Sequence, residues 1–202
     1  MTKTGKFDRE QLLEALKLLS ERLRLNKGGH YALLVCGGSA LIALNYKNRV
    51  TKDVDVVALI LGDMLLSDPD PLPEELVIAA KEVSTDLALP FDWLNNGPSK
   101  GEGGLFRMGL PEGIEKRSKK QSFGENLTVF WIDRIDQIHF KLYASIDRGG
   151  YHVDDLLELN PLPDEILAAS RWCMTHDVSE GFRQILISFL GKFGYDTVVS
   201  KL

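Results

Sequence analysis

Two cysteines in 202 residues, Cys36 and Cys173, are too few and too far apart for a disulfide framework or a cysteine-based zinc site. A reducing compartment, the cytoplasm, is the expected location. Long apolar runs are missing too. None approaches the roughly 20 residues that span a bilayer, and the N-terminal stretch "MTKTGKFDREQ" has no apolar signal core, so no membrane partner is expected. Positive charge is in deficit, with 24 Lys and Arg against 29 Asp and Glu for a net charge of −5. That balance argues against a constitutively basic nucleic-acid binder and leaves room only for a local basic patch. The four histidines, His30, His139, His152 and His176, are scattered and are expected to be structural. No Gly-Lys-Ser/Thr makes a Walker loop, and "GGSALI" lacks the third glycine of a dinucleotide fingerprint. There is no internal repeat, low-complexity tract or interdomain linker.

What is present is ordinary globular composition, 44% hydrophobic and 26% charged, enough for one domain with or without a small appendage. "DREQLLEALKLLSERLRLNKGG" places Leu12, Leu13, Leu16, Leu19 and Leu23 at helical spacing, with Asp8 and Gln11 positioned for a capping box and Gly28 and Gly29 as the stop. "HYALLVC" reads as a buried strand, "SALIALNYKN" as a helix opened by Ser39, and "DVDVVALI" as a second strand. A helix with proline at its start follows in "LPEELVIAAKEVSTDL", then a short extended piece, "PFDWLNN". Residues 97 to 124 are glycine-rich and read as irregular surface structure around a short strand. "ENLTVFWI" is another strand, and "DRIDQIHFKLYASIDRGG" a helix capped by Asp133 and stopped by Gly149 and Gly150. The remainder reads as two or three amphipathic helices. The expected fold class is α+β: an α/β core over 1–132 and a helical C-terminal region over 133–202.

The chemistry concentrates in "VCGGSALIALNYKNRVTKDVDVV", residues Val35 to Val57. Side chains alternate along a strand, so Asp53 and Asp55 share one face while Val54 and Val56 enter the other. Two like charges so placed repel, and such a pair commonly shares a proton or a cation; hard oxygen ligands favour Mg²⁺ or Mn²⁺. Gly37 and Gly38 remove side chains where a backbone must approach a phosphate, the N–H groups opening the next helix form an anion cradle, and Ser39 adds a hydroxyl. Alone, a strand-glycine-helix turn or a D-x-D pair is more often structural than functional. Their combination points to a metal-nucleotide site.

These residues resemble the DNA polymerase β-like nucleotidyltransferase superfamily, whose signature is a Gly-Gly or Gly-Ser turn followed by D-x-D or D-x-E. Gly38-Ser39 and Asp53 are separated by thirteen intervening residues, and "RVTKDVD" looks like the R-x-T-x-D-x-D of the AbiEii-type branch. "LPEGIEKR", "FKLYASIDR" and "HVDDLLELNPLPDEI" are similar to segments of proteins grouped with that branch, so the resemblance covers roughly residues 30 to 172. It implies a nucleotidyltransferase-type mixed sheet and transfer of a nucleoside monophosphate from a nucleoside triphosphate to an acceptor hydroxyl, the acceptor being RNA, protein or a small molecule. By resemblance Asp53 and Asp55 are metal ligands, Gly37, Gly38 and Ser39 the triphosphate cradle, and a third carboxylate comes from a later strand as metal ligand or general base. Asp92 is the candidate, with a turn-capping role beside Asn95 and Asn96 equally open.

The same branch carries a lysine on a later helix with an aspartate beyond it, which implies that Lys141 neutralises triphosphate charge and that Asp155 orients it. On residue pattern alone, Lys141 sits on a mixed face suited to a solvated lysine, and Asp154 and Asp155 suit a helix cap. Arg49 and Thr51 would brace the aspartates. "EKRSKKQ" holds Lys116, Arg117, Lys119 and Lys120, either a solvated loop or, for an RNA acceptor, the place for phosphate contacts. Trp93, Trp131 and Trp172 are expected in the core or a pocket wall. The resemblance also implies a toxin of a toxin-antitoxin pair, restrained by an antitoxin protein. The alternative is a catalytically degenerate nucleotide-binding or scaffold domain of the same fold.

Overall fold

The computed structural model describes residues 6–47 and 50–202. Arg49 lies outside the described residues. The chain divides into two compact units, Met1–Asp133 and Arg134–Leu202.

The first unit opens with helix α1 (Arg9–Leu25). Gln11 N–H donates to Asp8 Oδ1 at 3.0 Å and Asp8 N–H to Gln11 Oε1 at 3.1 Å, the reciprocal capping box expected from the sequence. Leu12, Leu16, Leu19 and Leu23 are fully buried. The helix stops before the glycine pair: Asn26 caps it and Lys27 takes the left-handed turn at φ +57°. Gly28 N–H then donates back to Leu23 O at 2.8 Å.

Next come β1 (Tyr31–Cys36), α2 (Gly37–Ala43), β2 (Val54–Ile60), β3 (Leu66–Ser67), α3 (Glu74–Leu87), β4 (Leu94–Asn95), α4 (Leu105–Met108), α5 (Ile114–Arg117), β5 (Lys119–Ser122) and β6 (Leu127–Trp131). The strands make one mixed sheet in the order β3-β2-β1-β6-β5, with β4 also paired to β2. β1 runs antiparallel to β2 and parallel to β6, while β4 is parallel to β2. A mixed sheet with flanking helices is the α+β class at its coarse level. α1 packs against α2, α3 and β6. Trp93 is fully buried, donates Nε1–H to Ala80 O at 2.9 Å, and meets Phe7 edge-on at 6.3 Å.

Two local expectations need correction. Helix α2 starts at Gly37 rather than Ser39 and ends at Ala43, because Gly37 takes φ +71° and turns the chain directly out of β1. "EKRSKKQ" is not a loop: Ile114–Arg117 is a helical turn and Lys119–Ser122 is edge strand β5, paired antiparallel with β6. Charged side chains on an edge strand follow no apolar alternation, so periodicity misses them.

β1 lines one side of β2 along much of its length, and two short strands share the other side: β4 beside Val54 and Asp55, β3 beside Leu59 and Ile60. Between them the Ser99 hydroxyl donates to Val57 O at 2.8 Å. The Ser99 main chain approaches Gly104 so closely that a Cβ there would lie 2.3 Å away.

The second unit is helical: α6 (Arg134–Asp147), α7 (Tyr151–Glu158), α8 (Pro163–His176), α9 (Glu180–Lys192) and the single turn α10 (Asp196–Val199). Four helices thus follow α6 where two or three were expected, the first of them filling the stretch after Gly149 and Gly150. α6 packs on α7, α8 and α9. Arg134 ties the unit together, donating to both carboxylate oxygens of Glu165 at 2.6 and 3.0 Å and to Leu159 O and Asn160 O at 2.8 and 2.7 Å. The rings of Phe140, Tyr143, His176 and Phe182 gather with Trp172 into one aromatic cluster.

Candidate functional site

The end of the central strands builds the site. β1 delivers Cys36 and then Gly37, and β2 begins at Val54 with Asp53 immediately before it. Val54 and Val56 are fully buried while Asp53 and Asp55 are half-buried, the alternation that puts both carboxylates on one face. Strand register places Asp55 opposite Cys36 on one side and opposite Asn95 on the other. Gly37 and Asp55 are in near contact: a Cβ on Gly37 would stand 2.8 Å from Asp55 Oδ2. Glycine is therefore required here twice over, for the φ of +71° and for the carboxylate.

Gly37 is half-buried, whereas Gly38 and Ser39 are buried. The Ser39 hydroxyl donates back to Cys36 O at 3.2 Å and so braces the turn. Thr51 is buried too; its main chain pairs with Phe7 at 2.8 and 2.9 Å, and its hydroxyl donates to Asp53 O at 3.3 Å. That bond fixes the backbone from which the first carboxylate projects.

Asp92 lies in an exposed turn ahead of β4, and its carbonyl accepts from Asn95 Nδ2 at 3.2 Å. The residue that the sheet sets beside Asp55 is Asn95, which the sequence marks only as a turn neighbour of Asp92. No local pattern marks it, since its place is fixed by pairing with a strand some forty positions earlier. β4 is anchored from behind: Asn96 donates to Asp70 Oδ1 at 3.0 Å and to Pro69 O at 3.1 Å. Gly101 N–H donates to Asp70 Oδ2 at 2.9 Å and Arg107 Nε to Asp68 Oδ2 at 2.7 Å. The Gly101 N–H above all, then the Asn96 amide and the Arg107 charge, hold the Asp70 carboxyl below its usual range.

In the second unit Lys141 and Asp155 form an ion pair of 2.7 Å, with side chains 6% and 0% exposed. Lys141 is thus buried, not the solvated lysine of a mixed helix face. Its ammonium also lies 5.8 Å from the Tyr151 ring centroid. Asp155 sits inside α7, and Asp154 in its first turn. The structure thus brings Gly37, Asp53 and Asp55 together with Asn95 in one unit, and Lys141 with Asp155 in the other.

Asp53 and Asp55 fit a divalent cation in part. They offer hard oxygen donors from a half-buried position, suited to Mg²⁺ or Mn²⁺ that keeps water and takes its remaining ligands from phosphate. Among the described residues no group of three or more His, Cys, Asp or Glu side chains is gathered for a metal. The chain matches no protein-family model, no curated protein and no solved structure at a significant level.

Proposed function

We propose that this protein is a metal-dependent nucleotidyltransferase acting at the end of the β1 and β2 strands. The observation that carries the reading is the contact of Gly37 with Asp55, which sets a carboxylate face directly against a glycine turn that opens a helix. Asp53 and Asp55 would hold Mg²⁺ or Mn²⁺, which when bound neutralises triphosphate charge and polarises the phosphorus centre. The chain's own residues do the rest. The missing side chain at Gly37 makes room for the Asp55 carboxylate, and Ser39 and Thr51 keep turn and carboxylate in place. The acceptor hydroxyl oxygen forms a bond to the α-phosphorus, the bond from that phosphorus to the bridging oxygen breaks, and pyrophosphate leaves with the electron pair. Asp92, exposed ahead of β4, is the proposed acceptor of the hydroxyl proton.

A second reading has its own support. An amide, Asn95, stands in register with Asp55, and this favours a domain that binds nucleotide without transferring it. Calorimetry with Mg²⁺ and the four common triphosphates, paired with a pyrophosphate-release assay, separates the two. Binding with release supports the transferase, and binding without release supports the degenerate domain. Asp53→Asn and Asp55→Asn should each abolish metal-dependent triphosphate binding while apo stability holds or rises, since one of two crowded charges is gone. Parent-like binding by either variant would overturn the assignment.

A further inference from the structure

We infer that Asn95 limits the Asp53–Asp55 site to a single divalent cation, its neutral amide filling the sheet position from which a third carboxylate would recruit a second. The inference rests on the reading of those aspartates as cation ligands. β4 pairs with β2 in parallel register, Leu94 opposite Val54 and Asn95 opposite Asp55. In-register neighbours on adjacent strands lie about 4.8 Å apart and present side chains to the same face. Burial agrees: Val54 and Leu94 are buried together, Asp55 and Asn95 half-buried together. Cys36, Asp55 and Asn95 therefore form a row across three strands, and only the middle member carries a carboxylate.

The Asn95 side chain is held. Gly97 N–H donates to Oδ1 at 2.7 Å, and Nδ2 donates to Asp92 O at 3.2 Å. The amide orientation is forced, because a flip would set an NH₂ group against the Gly97 N–H, donor against donor. The group beside Asp55 is thus an uncharged one locked by its own turn. Two aspartates neutralise one dication. A second would have to rely on ligand phosphates, with nothing anionic at position 95 to bridge it.

The test changes that one charge. Asn95→Asp keeps the acceptor for Gly97 N–H, gives up the donor to Asp92 O and adds an anionic oxygen, so it raises the charge count at the same side-chain size. Mn²⁺ binding without nucleotide, followed by the resonance of free Mn²⁺, gives affinity and stoichiometry. The parent should bind one Mn²⁺. Asn95→Asp should bind the first about tenfold more tightly and take a second, as ligand charge count sets affinity at such sites. Mn²⁺ should also raise the melting temperature of Asn95→Asp more than that of the parent, a readout available even if the apo variant is weakly folded. The gain should vanish in Asp55→Asn/Asn95→Asp. Asn95→Ser, neutral and able to accept from Gly97, should bind one Mn²⁺ as the parent does. Parent binding with no gain in Asn95→Asp, two cations in the parent, or loss of binding in Asn95→Ser would each overturn the inference. A parent that binds no Mn²⁺ with or without triphosphate would instead overturn the metal-site reading beneath it.

Discussion

Asp55 Oδ2 and Gly37 are packed so closely that a single methyl group on Gly37 would displace the carboxylate. Gly37→Ala should fail in two ways. The left-handed backbone costs about 1–2 kcal/mol for a residue with a Cβ, and the new methyl forces Asp55 to another rotamer. Chemical denaturation should show the first effect, and loss of metal-dependent triphosphate binding the second. Gly29→Ala is the control: a Cβ there meets nothing within 4 Å, so stability should stay within about 0.5 kcal/mol and binding unchanged.

The Lys141–Asp155 pair lends itself to a double-mutant cycle. Removing one partner strands the other charge in a dry interior, so Asp155→Ala should destabilise the protein by about 3–5 kcal/mol. Replacing both, as in Lys141→Met with Asp155→Leu, should recover much of that loss, because neither charge of the pair is then left buried without the other. Urea unfolding of the single and double variants measures the coupling. If the double variant is no more stable than Asp155→Ala, the pair does not act as a buried unit.

Acid should loosen the second unit through Glu165. The Arg134 guanidinium, chiefly by its hydrogen bonds, holds the Glu165 carboxyl below its ordinary value of 4.5. A lowered carboxyl pKa contributes stability above that ordinary value, and the contribution is lost as pH falls through the folded-state value. Parent stability should therefore drop below about pH 4.5, and Glu165→Gln, already lacking the contribution, should drop less over the same window. Urea midpoints at pH 6 and at stepwise lower pH compare the two; equal acid sensitivity would count against the pair.

If the acceptor is a nucleic-acid strand, its phosphates should meet β5 and the turn before it. Lys116, Lys119 and Lys120 are exposed, though Lys119 also bonds Asp133 at 3.0 Å and Lys120 overlies the Phe130 ring at 6.0 Å. Neutralising Lys116, Arg117, Lys119 and Lys120 together should flatten the slope of log affinity against log salt by up to about 3 for a single strand. Triphosphate binding should be untouched. An unchanged slope in a filter-binding titration would take this surface out of the acceptor path.

The parts of this fold legible in sequence are those whose causes are local. The capping box of Asp8 and Gln11 lies within one helical turn, and the leucines of α1 declare their face by spacing alone. The shared face of Asp53 and Asp55 and the turn at the glycine pair were legible as geometry because strand alternation is a rule of short range. What stayed hidden was set by pairing between distant segments. Asn95 acquires its place beside Asp55 only through the β2–β4 register, and a two-residue strand has no periodicity to detect. On residue pattern alone Lys141 looked like a solvated lysine, because its partner sits on the next helix across the Gly149–Gly150 turn; only the family resemblance set Asp155 beside it. Ser39 resembled a helix opener, yet its hydroxyl serves the residue three positions back.

Ser99 closes the interval on β2 that neither β4 nor β3 covers, so a hydroxyl stands where a neighbouring strand would otherwise dock. Open strand edges are the sites at which one chain recruits another into aggregates. The loop carrying Ser99 is drawn against Gly104 with no room for a side chain, so the seal depends on a glycine that lies outside the strands themselves. A chain with a bulkier residue at position 104 would keep every side chain of the candidate site and still be lost from solution.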